Sequence, residues 1–247
     1  KINNQFLVVG TDTGVGKTVF LSLLCNFMSK RGHKVLPVKP FCSGGKEDLN
    51  MLLTAARGEG LKESDINFWY VGDSISPATW EFRTGGEIDI DYFFEKLKKR
   101  ENIYHDYDVL LVEGVGGLLA PITQKHTVAS IGQELGLNLI LIAQNRVGVI
   151  NHVLLTVEAA LTRRLSVACV ILMEQEEPDV SAVDNIELIR MYLPNMEDFK
   201  GIYEFPWLGG EANNPKLIAK NVKKAEGVLE KIFDVVINPC LFGDSNN

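Results

Sequence analysis

Short apolar runs and longer amphipathic stretches alternate along this chain almost from end to end. Residues 6–9, 35–40, 108–112, 139–144, 167–172 and 201–205 are short, mostly apolar runs bounded by turn-forming residues. Runs of this kind suit strands buried on both faces. Residues 19–31, 47–57, 90–100, 128–135, 153–164, 182–192 and 215–232 have instead the spacing of helices with one apolar face. Strands alternating with helices imply right-handed crossovers and a parallel sheet. The pattern predicts a three-layer α/β fold, a doubly wound and mostly parallel sheet with helices on both faces. One domain should span residues 1–238, with a frayed tail at 239–247. The least regular stretches are 58–86 and 179–185, and no internal repeat or low-complexity segment interrupts the pattern.

Ligands of such sheets bind beyond the carboxyl ends of the strands, so the chemistry is sought there. The first strand runs into Gly10-Thr11-Asp12-Thr13-Gly14-Val15-Gly16-Lys17-Thr18, and a helix follows. Strand, glycine-rich turn, lysine, hydroxyl and helix start together make a phosphate-binding loop of the P-loop NTPase kind. Its glycines let backbone N–H groups point into one concavity, and the helix N-terminus adds partial positive charge. Lys17 can reach the outer phosphates of a nucleoside triphosphate, and the Thr18 hydroxyl can hold Mg²⁺. The spacing departs from the common motif: Gly10 lies one residue further back and Thr11 takes the usual glycine place. Thr11 and Thr13 therefore bring hydroxyls to the phosphates. Asp12 stands where the partitioning and nitrogenase-iron-protein ATPases carry a lysine, which argues against that group.

The second strand ends in Lys39-Pro40, with Ser43, Gly44 and Asp48 beyond. A strand-end lysine is ordinarily a solvated charge. Beside a phosphate loop it can also neutralise a transferring phosphoryl group. Asp48 reads either as a site acid or as a first-turn helix acid. The third strand delivers Glu113, followed by Gly114, Gly116 and Gly117. An acid there is the expected second metal ligand, since Mg²⁺ takes one or two carboxylates with phosphates and water. A plain structural turn is the alternative, but burying Glu113 without a cation would be costly.

Composition narrows the partners. With 247 residues, 46% hydrophobic, 23% charged and a net charge of −7, this is an ordinary globular composition that disfavours nucleic acid as a main partner. No apolar run approaches the ~18 residues of a membrane span, and no secretory signal is visible. A cytoplasmic protein is expected, one that has lost an initiator Met or a short leader before Lys1. Cys25, Cys42, Cys169 and Cys240 are far apart and form no CxxC pair, so reduced thiols are expected rather than a zinc or redox site. His33, His105, His126 and His152 show no metal spacing either.

Taken in order, the phosphate loop, Lys39-Pro40 with Ser43-Gly44, Ser76-Pro77, Val112-Glu113-Gly114-Val115-Gly116-Gly117, Val149-Ile150-Asn151-His152 and Pro206-Trp207-Leu208 resemble the dethiobiotin synthetase family. The resemblance runs from about residue 5 to 208. It implies closure of a ureido ring on the diamine 7,8-diaminononanoate with CO2 and ATP, in biotin synthesis, through a carbamate and a carbamic–phosphoric anhydride. It further implies that Thr13, Gly14, Val15, Gly16, Lys17, Thr18, Glu113 and Gly116 bind the nucleotide phosphates, and that Thr18, Asp48 and Glu113 surround Mg²⁺. Lys17 and Lys39 are then catalytic, Lys39 bridging carbamate and γ-phosphate, with Thr11 and Ser43 bonded to the carbamate or diamine. The backbone at Val149, Ile150 and Asn151 receives the substrate carboxylate from the other subunit of a homodimer.

Two departures stand out. Met173-Glu174 occupies the place where the family often has an Asn for adenine, which leaves the base to Glu174, backbone groups and the turn Pro206-Trp207-Leu208 and predicts relaxed nucleotide selectivity. The family tyrosine near the substrate carboxylate is absent, and Asn185 is its nearest match. Other readings are a regulatory or partitioning ATPase and a non-catalytic domain of the same family; retention of Lys17, Thr18, Lys39, Asp48 and Glu113 opposes the latter. A glutaminase-bearing amidoligase would need a longer chain.

Overall fold

The computed structural model describes residues 4–56, 60–98 and 107–237. The tail 239–247, Cys240, His105 and the last residues of the helices expected at 47–57 and 90–100 lie outside them. The chain opens with β1 (Asn4–Gly10), α1 (Lys17–Ser29) and β2 (Val35–Val38). A short β3 (Phe41–Ser43) and α2 (Glu47–Ala55) follow. Next come α3 (Glu63–Ile66), β4 (Trp69–Val71), α4 (Pro77–Thr84) and α5 (Ile90–Lys98). The second half holds β5 (Val109–Gly117), α6 (Val128–Leu135), β6 (Asn138–Gln144), α7 (Val149–Thr162), β7 (Val167–Met173), α8 (Asn185–Tyr192), β8 (Ile202–Phe205), α9 (Ile218–Lys224) and α10 (Glu226–Ile237).

Six strands form one sheet in the order β2-β5-β1-β6-β7-β8, every pair parallel. The strands are apolar on both sides because each face carries its own helical layer. Alternate residues divide cleanly: Leu7 and Val9 of β1 join a core with α5, α6, α7 and α8, whereas Phe6 and Val8 join one with α1, α2, α9 and α10. Phe20 of α1 and Phe205 of β8 meet edge to face in the second core. After β1 the chain crosses to β2 on one side of the sheet and later returns to β6 on the other. That reversal opens a crevice at the carboxyl end of β1.

Three local expectations are corrected. The strand expected to end at Glu113 continues to Gly117, with an irregular register against β1 between Val8 and Gly10. Residues 60–86 of the stretch expected to be irregular carry α3, β4 and α4. There β3 and β4 pair as a two-stranded parallel ladder, stapled by Tyr70 Oη donating to the Gly44 carbonyl at 2.7 Å. The helix expected over 215–232 is a 3-10 turn followed by α9 and α10, which break at Ala225.

One side chain ties the small ladder to the main sheet. Asn67 Nδ2 donates to the carbonyls of Lys39 (2.8 Å), Trp69 (3.1 Å) and Pro40 (3.3 Å), and Lys39 N–H donates to the Ile66 carbonyl at 2.8 Å. The backbone that presents Lys39 is therefore gripped from behind. Replacing Asn67 with Ala removes the side-chain donor from the Lys39 and Trp69 carbonyls, while the Pro40 carbonyl keeps the N–H groups of Phe68 and Trp69, and should destabilise the fold by about 1–3 kcal/mol. Urea unfolding of the variant measures this; an unchanged midpoint would mean that Asn67 is not the clamp.

Candidate functional site

The loop after β1 curls because its glycines permit it. Gly16 caps α1 at φ 100°, a left-handed conformation, and a Cβ there would stand 2.9 Å from Met173 Cε. Lys17 and Thr18 begin α1, so both side chains are aimed by the first helical turn beside its unsatisfied N–H groups. Lys17 is buried and its Nζ donates to the Asp12 carbonyl at 3.0 Å, folding the lysine back across its own loop. Burial lowers the pKa of this ammonium from its ordinary value, with Glu113 pulling the other way.

Four polar side chains from four elements meet beside Lys17. Glu113, on β5 and opposite Val8 of β1, is only 2% exposed. Its Oε1 accepts from Thr18 Oγ1 at 2.7 Å and from Lys39 Nζ at 2.5 Å. Lys39, at the end of β2, also pairs with Asp48 Oδ2 of α2 at 2.9 Å and stands 3.5 Å from Thr18 Oγ1. Burial depresses the Lys39 pKa, but the two carboxylates outweigh it and hold the ammonium above its ordinary range. Asp48 does lie in the first turn of its helix, so both sequence readings of it are compatible with its position.

Glu113 Oε2 is buried without a hydrogen-bond partner. An orphaned carboxylate oxygen next to a hydroxyl and a second carboxylate is a hard-oxygen donor set of the kind that suits Mg²⁺. Thr18, Glu113 and Asp48 therefore fit such an ion. Among the described residues no cluster of three His, Cys, Asp or Glu side chains forms a denser metal cage.

Two cavities share the phosphate loop. One, of about 340 Å³, is lined by Thr13, Gly14, Gly16, Lys17, Thr18, Lys39, Ser43, Asp48, Glu113 and Gly116, and brings most of the predicted phosphate, metal and substrate residues together. The other, of about 220 Å³, joins Val15, Glu174, Pro206, Trp207 and Leu208 with Met173. Its walls are mainly apolar. Glu174 is turned toward Asn145, whose Nδ2 donates to Glu174 Oε1 at 2.7 Å. Thr11 lines neither cavity; its N–H donates to the Ile142 carbonyl at 2.9 Å. Val149, Ile150 and Asn151 form the first turn of α7 behind Gly148, a cap without a side-chain bond, and also lie outside both cavities. The helix expected from 153 thus starts four residues earlier. Asn185, the nearest match to the missing tyrosine, is buried against Asn145.

Sequence reading missed several lining residues. Gln144 ends β6, and the strand-end rule would have flagged it. Gln175 and Asn213 sit in turns without a motif; Asn213 lies where the two cavities meet. Cys25 and Cys169 are fully buried, and burial pushes the Cys169 thiol up to about 12.

Known proteins bear on this arrangement. A family model described as an AAA domain matches residues 4–220. The chain is 30% identical over 216 residues to the ATP-dependent dethiobiotin synthetase BioD of Methanocaldococcus jannaschii, covering 81% of this chain and 98% of the relative. It is 32% identical over 206 residues to the protein of the same name from Methanococcus vannielii, covering 81% and 88%. Among solved structures, a putative plasmid partition protein from Borrelia burgdorferi bound to AMPPNP superposes with a TM-score of 0.55 at 12% identity, covering 94% of this chain and 97% of that one. A nucleotide-binding protein from Archaeoglobus fulgidus in complex with ADP gives 0.51 at 14% identity, covering 90% and 88%. At such identities the likeness is one of fold.

The Lys39–Glu113 pair yields a direct test. Lys39→Ala strands a buried carboxylate and should cost about 3 kcal/mol or more of unfolding free energy. Adding Glu113→Gln should return most of that loss. Denaturant titration of both singles and the double measures it, and simple additivity would refute the coupling.

Proposed function

The chain belongs to the ATP-dependent dethiobiotin synthetase family, and on that premise we propose how its site performs the reaction. The protein is an ATP-dependent ligase that makes dethiobiotin in biotin biosynthesis. The observation that carries the reading of the site is the meeting of Lys17, Thr18, Lys39, Asp48 and Glu113 in one cavity at the carboxyl ends of β1, β2 and β5.

In this reading one amine of 7,8-diaminononanoate takes up CO2 as a carbamate, releasing a proton. A carbamate oxygen attacks the γ-phosphorus of ATP, and ADP leaves with the electrons of the broken P–O bond. The second amine then attacks the carbonyl of the resulting anhydride; the ureido ring closes and phosphate departs. Two reactants and a nucleotide must be held in line, so the protein's task is positioning and charge stabilisation. Lys17 and the loop amides hold the outer phosphates. Lys39 stands between phosphate loop and substrate and offsets charge as it passes from carbamate to phosphate. Ser43, which lines the phosphate cavity, bonds the substrate from the β3 side, whereas Thr11, outside both cavities, is left without a substrate contact. When bound at Thr18, Asp48 and Glu113, Mg²⁺ supplies charge neutralisation for the phosphates. The second cavity takes the base against Met173, Pro206 and Trp207, with Met173 in the place of the family asparagine and the carboxamides of Gln144, Gln175 and Asn213 also in its lining.

A homodimer completes the site in this reading. The first turn of α7 lines neither of its own cavities, and in this reading its amides serve the carboxylate of the substrate bound to the partner. Val147 before α7, Leu155 on α7, Val180 and Val183 before α8, and Met191 and Tyr192 at the end of α8 expose apolar side chains at the surface. Such a patch suits burial against a second copy. Among the described residues no helix is long and apolar enough to cross a membrane, and we place the enzyme in the cytoplasm.

Purified protein given 7,8-diaminononanoate, bicarbonate, Mg²⁺ and ATP should form dethiobiotin with matching ADP, detected by mass spectrometry. CTP and GTP in parallel should also support turnover. Nucleotide hydrolysis without diamine dependence would instead favour a switch ATPase. Lys39→Ala should retain nucleotide binding and lose turnover; normal product formation would remove Lys39 from the mechanism. Leu155→Glu should give a monomer by light scattering with activity lost, and an active monomer would refute the shared site.

A further inference from the structure

Two carboxamides are buried where neither phosphate nor metal chemistry calls for them. Asn145 follows β6 and is 1% exposed; Asn185 opens α8 and is 2% exposed. Asn185 Nδ2 donates to Asn145 Oδ1 at 2.8 Å, and Asn145 Nδ2 donates to Glu174 Oε1 at 2.7 Å and to the Ala182 carbonyl at 3.2 Å. The Asn145 N–H donates to the Met173 carbonyl at 2.9 Å. Both donor hydrogens and the oxygen of the Asn145 carboxamide are thus engaged. Two residues on, the Val147 N–H donates to Asp179 Oδ2 at 2.6 Å, and Asp179 Oδ1 accepts from the hydroxyl (2.5 Å) and N–H (2.9 Å) of Ser181.

The segment from Asn145 to Gly148 leads directly into the first turn of α7. It is held on one side by Met173 and Glu174, which line the base cavity, and on the other by residues 179–185. A buried amide pair stabilises no more than a well-packed apolar pair would, but it accepts only one geometry. An apolar pair at these positions would leave the segment free to slide.

We propose that Asn145 and Asn185 are positioning residues that fix the first turn of α7, which receives the carboxylate of the partner's substrate, on the ends of β6 and β7. This rests on the reading that the α7 amides take the substrate carboxylate. Neither side chain touches substrate; they act through the backbone between Asn145 and Asn151.

The test compares 7,8-diaminononanoate with 2,3-diaminooctane, the same diamine without its carboxylate, on the full chain. Asn185→Ala should raise KM for the carboxylate-bearing diamine about tenfold, the loss of one charge-assisted contact. Its kcat should stay within about twofold, and KM for 2,3-diaminooctane should not move. Ser181→Ala, which loosens the other end of the chain of bonds and leaves both amides in place, should shift the same KM in the same direction. An Asn185→Ala variant that cannot be purified folded leaves Ser181→Ala to decide. Equal changes for both diamines, or none for either, would overturn the proposal. Wild-type protein that handles the two diamines equally would sink the carboxylate reading of α7 itself, and the positioning role with it.

Discussion

Glu113 carries a carboxylate into the middle of a parallel sheet, where a charge persists only with cations and donors around it. That requirement organises the surroundings. Lys39 must come from β2, Thr18 from the first turn of α1 and Asp48 from α2, and each element has to be in place for the others to be tolerable. Asn67 and the β3–β4 ladder serve the same end, since they fix the backbone on which Lys39 is mounted. The ion pair is weak evidence for stability, because dehydrating both groups offsets most of their attraction. Its effect is to gather two carboxylates, an ammonium and a hydroxyl beside the loop after β1.

Function follows from where the sheet reverses direction. Crossing to β2 on one side of β1 and returning to β6 on the other leaves the ends of β1, β2 and β5 around one cavity and those of β6, β7 and β8 beside the second. In the reading we propose, phosphate chemistry and base recognition then fall to different strands. The phosphate half is built from charged and hydroxyl side chains on regular elements. The base half depends on turns and on Met173, whose side chain fills space against Gly16 rather than bonding a base edge.

The strand and helix pattern was legible because period and burial report directly on local geometry, and all six sheet strands fall where the apolar runs lie. The phosphate loop was legible because its glycines, lysine and threonine are contiguous. Asp48 was only half legible: an acid in a first helical turn looks the same whether it caps or coordinates. The short ladder of β3 and β4 escaped, since three-residue strands are too short to show a period. So did the break at Ala225 and the early start of α7, which tertiary packing sets.

By itself, then, the sequence determined the layers, the parallel sheet and the candidate polar groups on its strands and the turns after them, because each rests on residues close together in the chain. Only the tertiary structure decided that Lys39 lies between Glu113 and Asp48, that Glu174 turns to Asn145, and that Asn185 is buried. Apart from the Lys39–Asp48 pair, those contacts join residues tens of positions apart. They are fixed by the need to satisfy buried charge and buried amides at once, and no local pattern encodes that need.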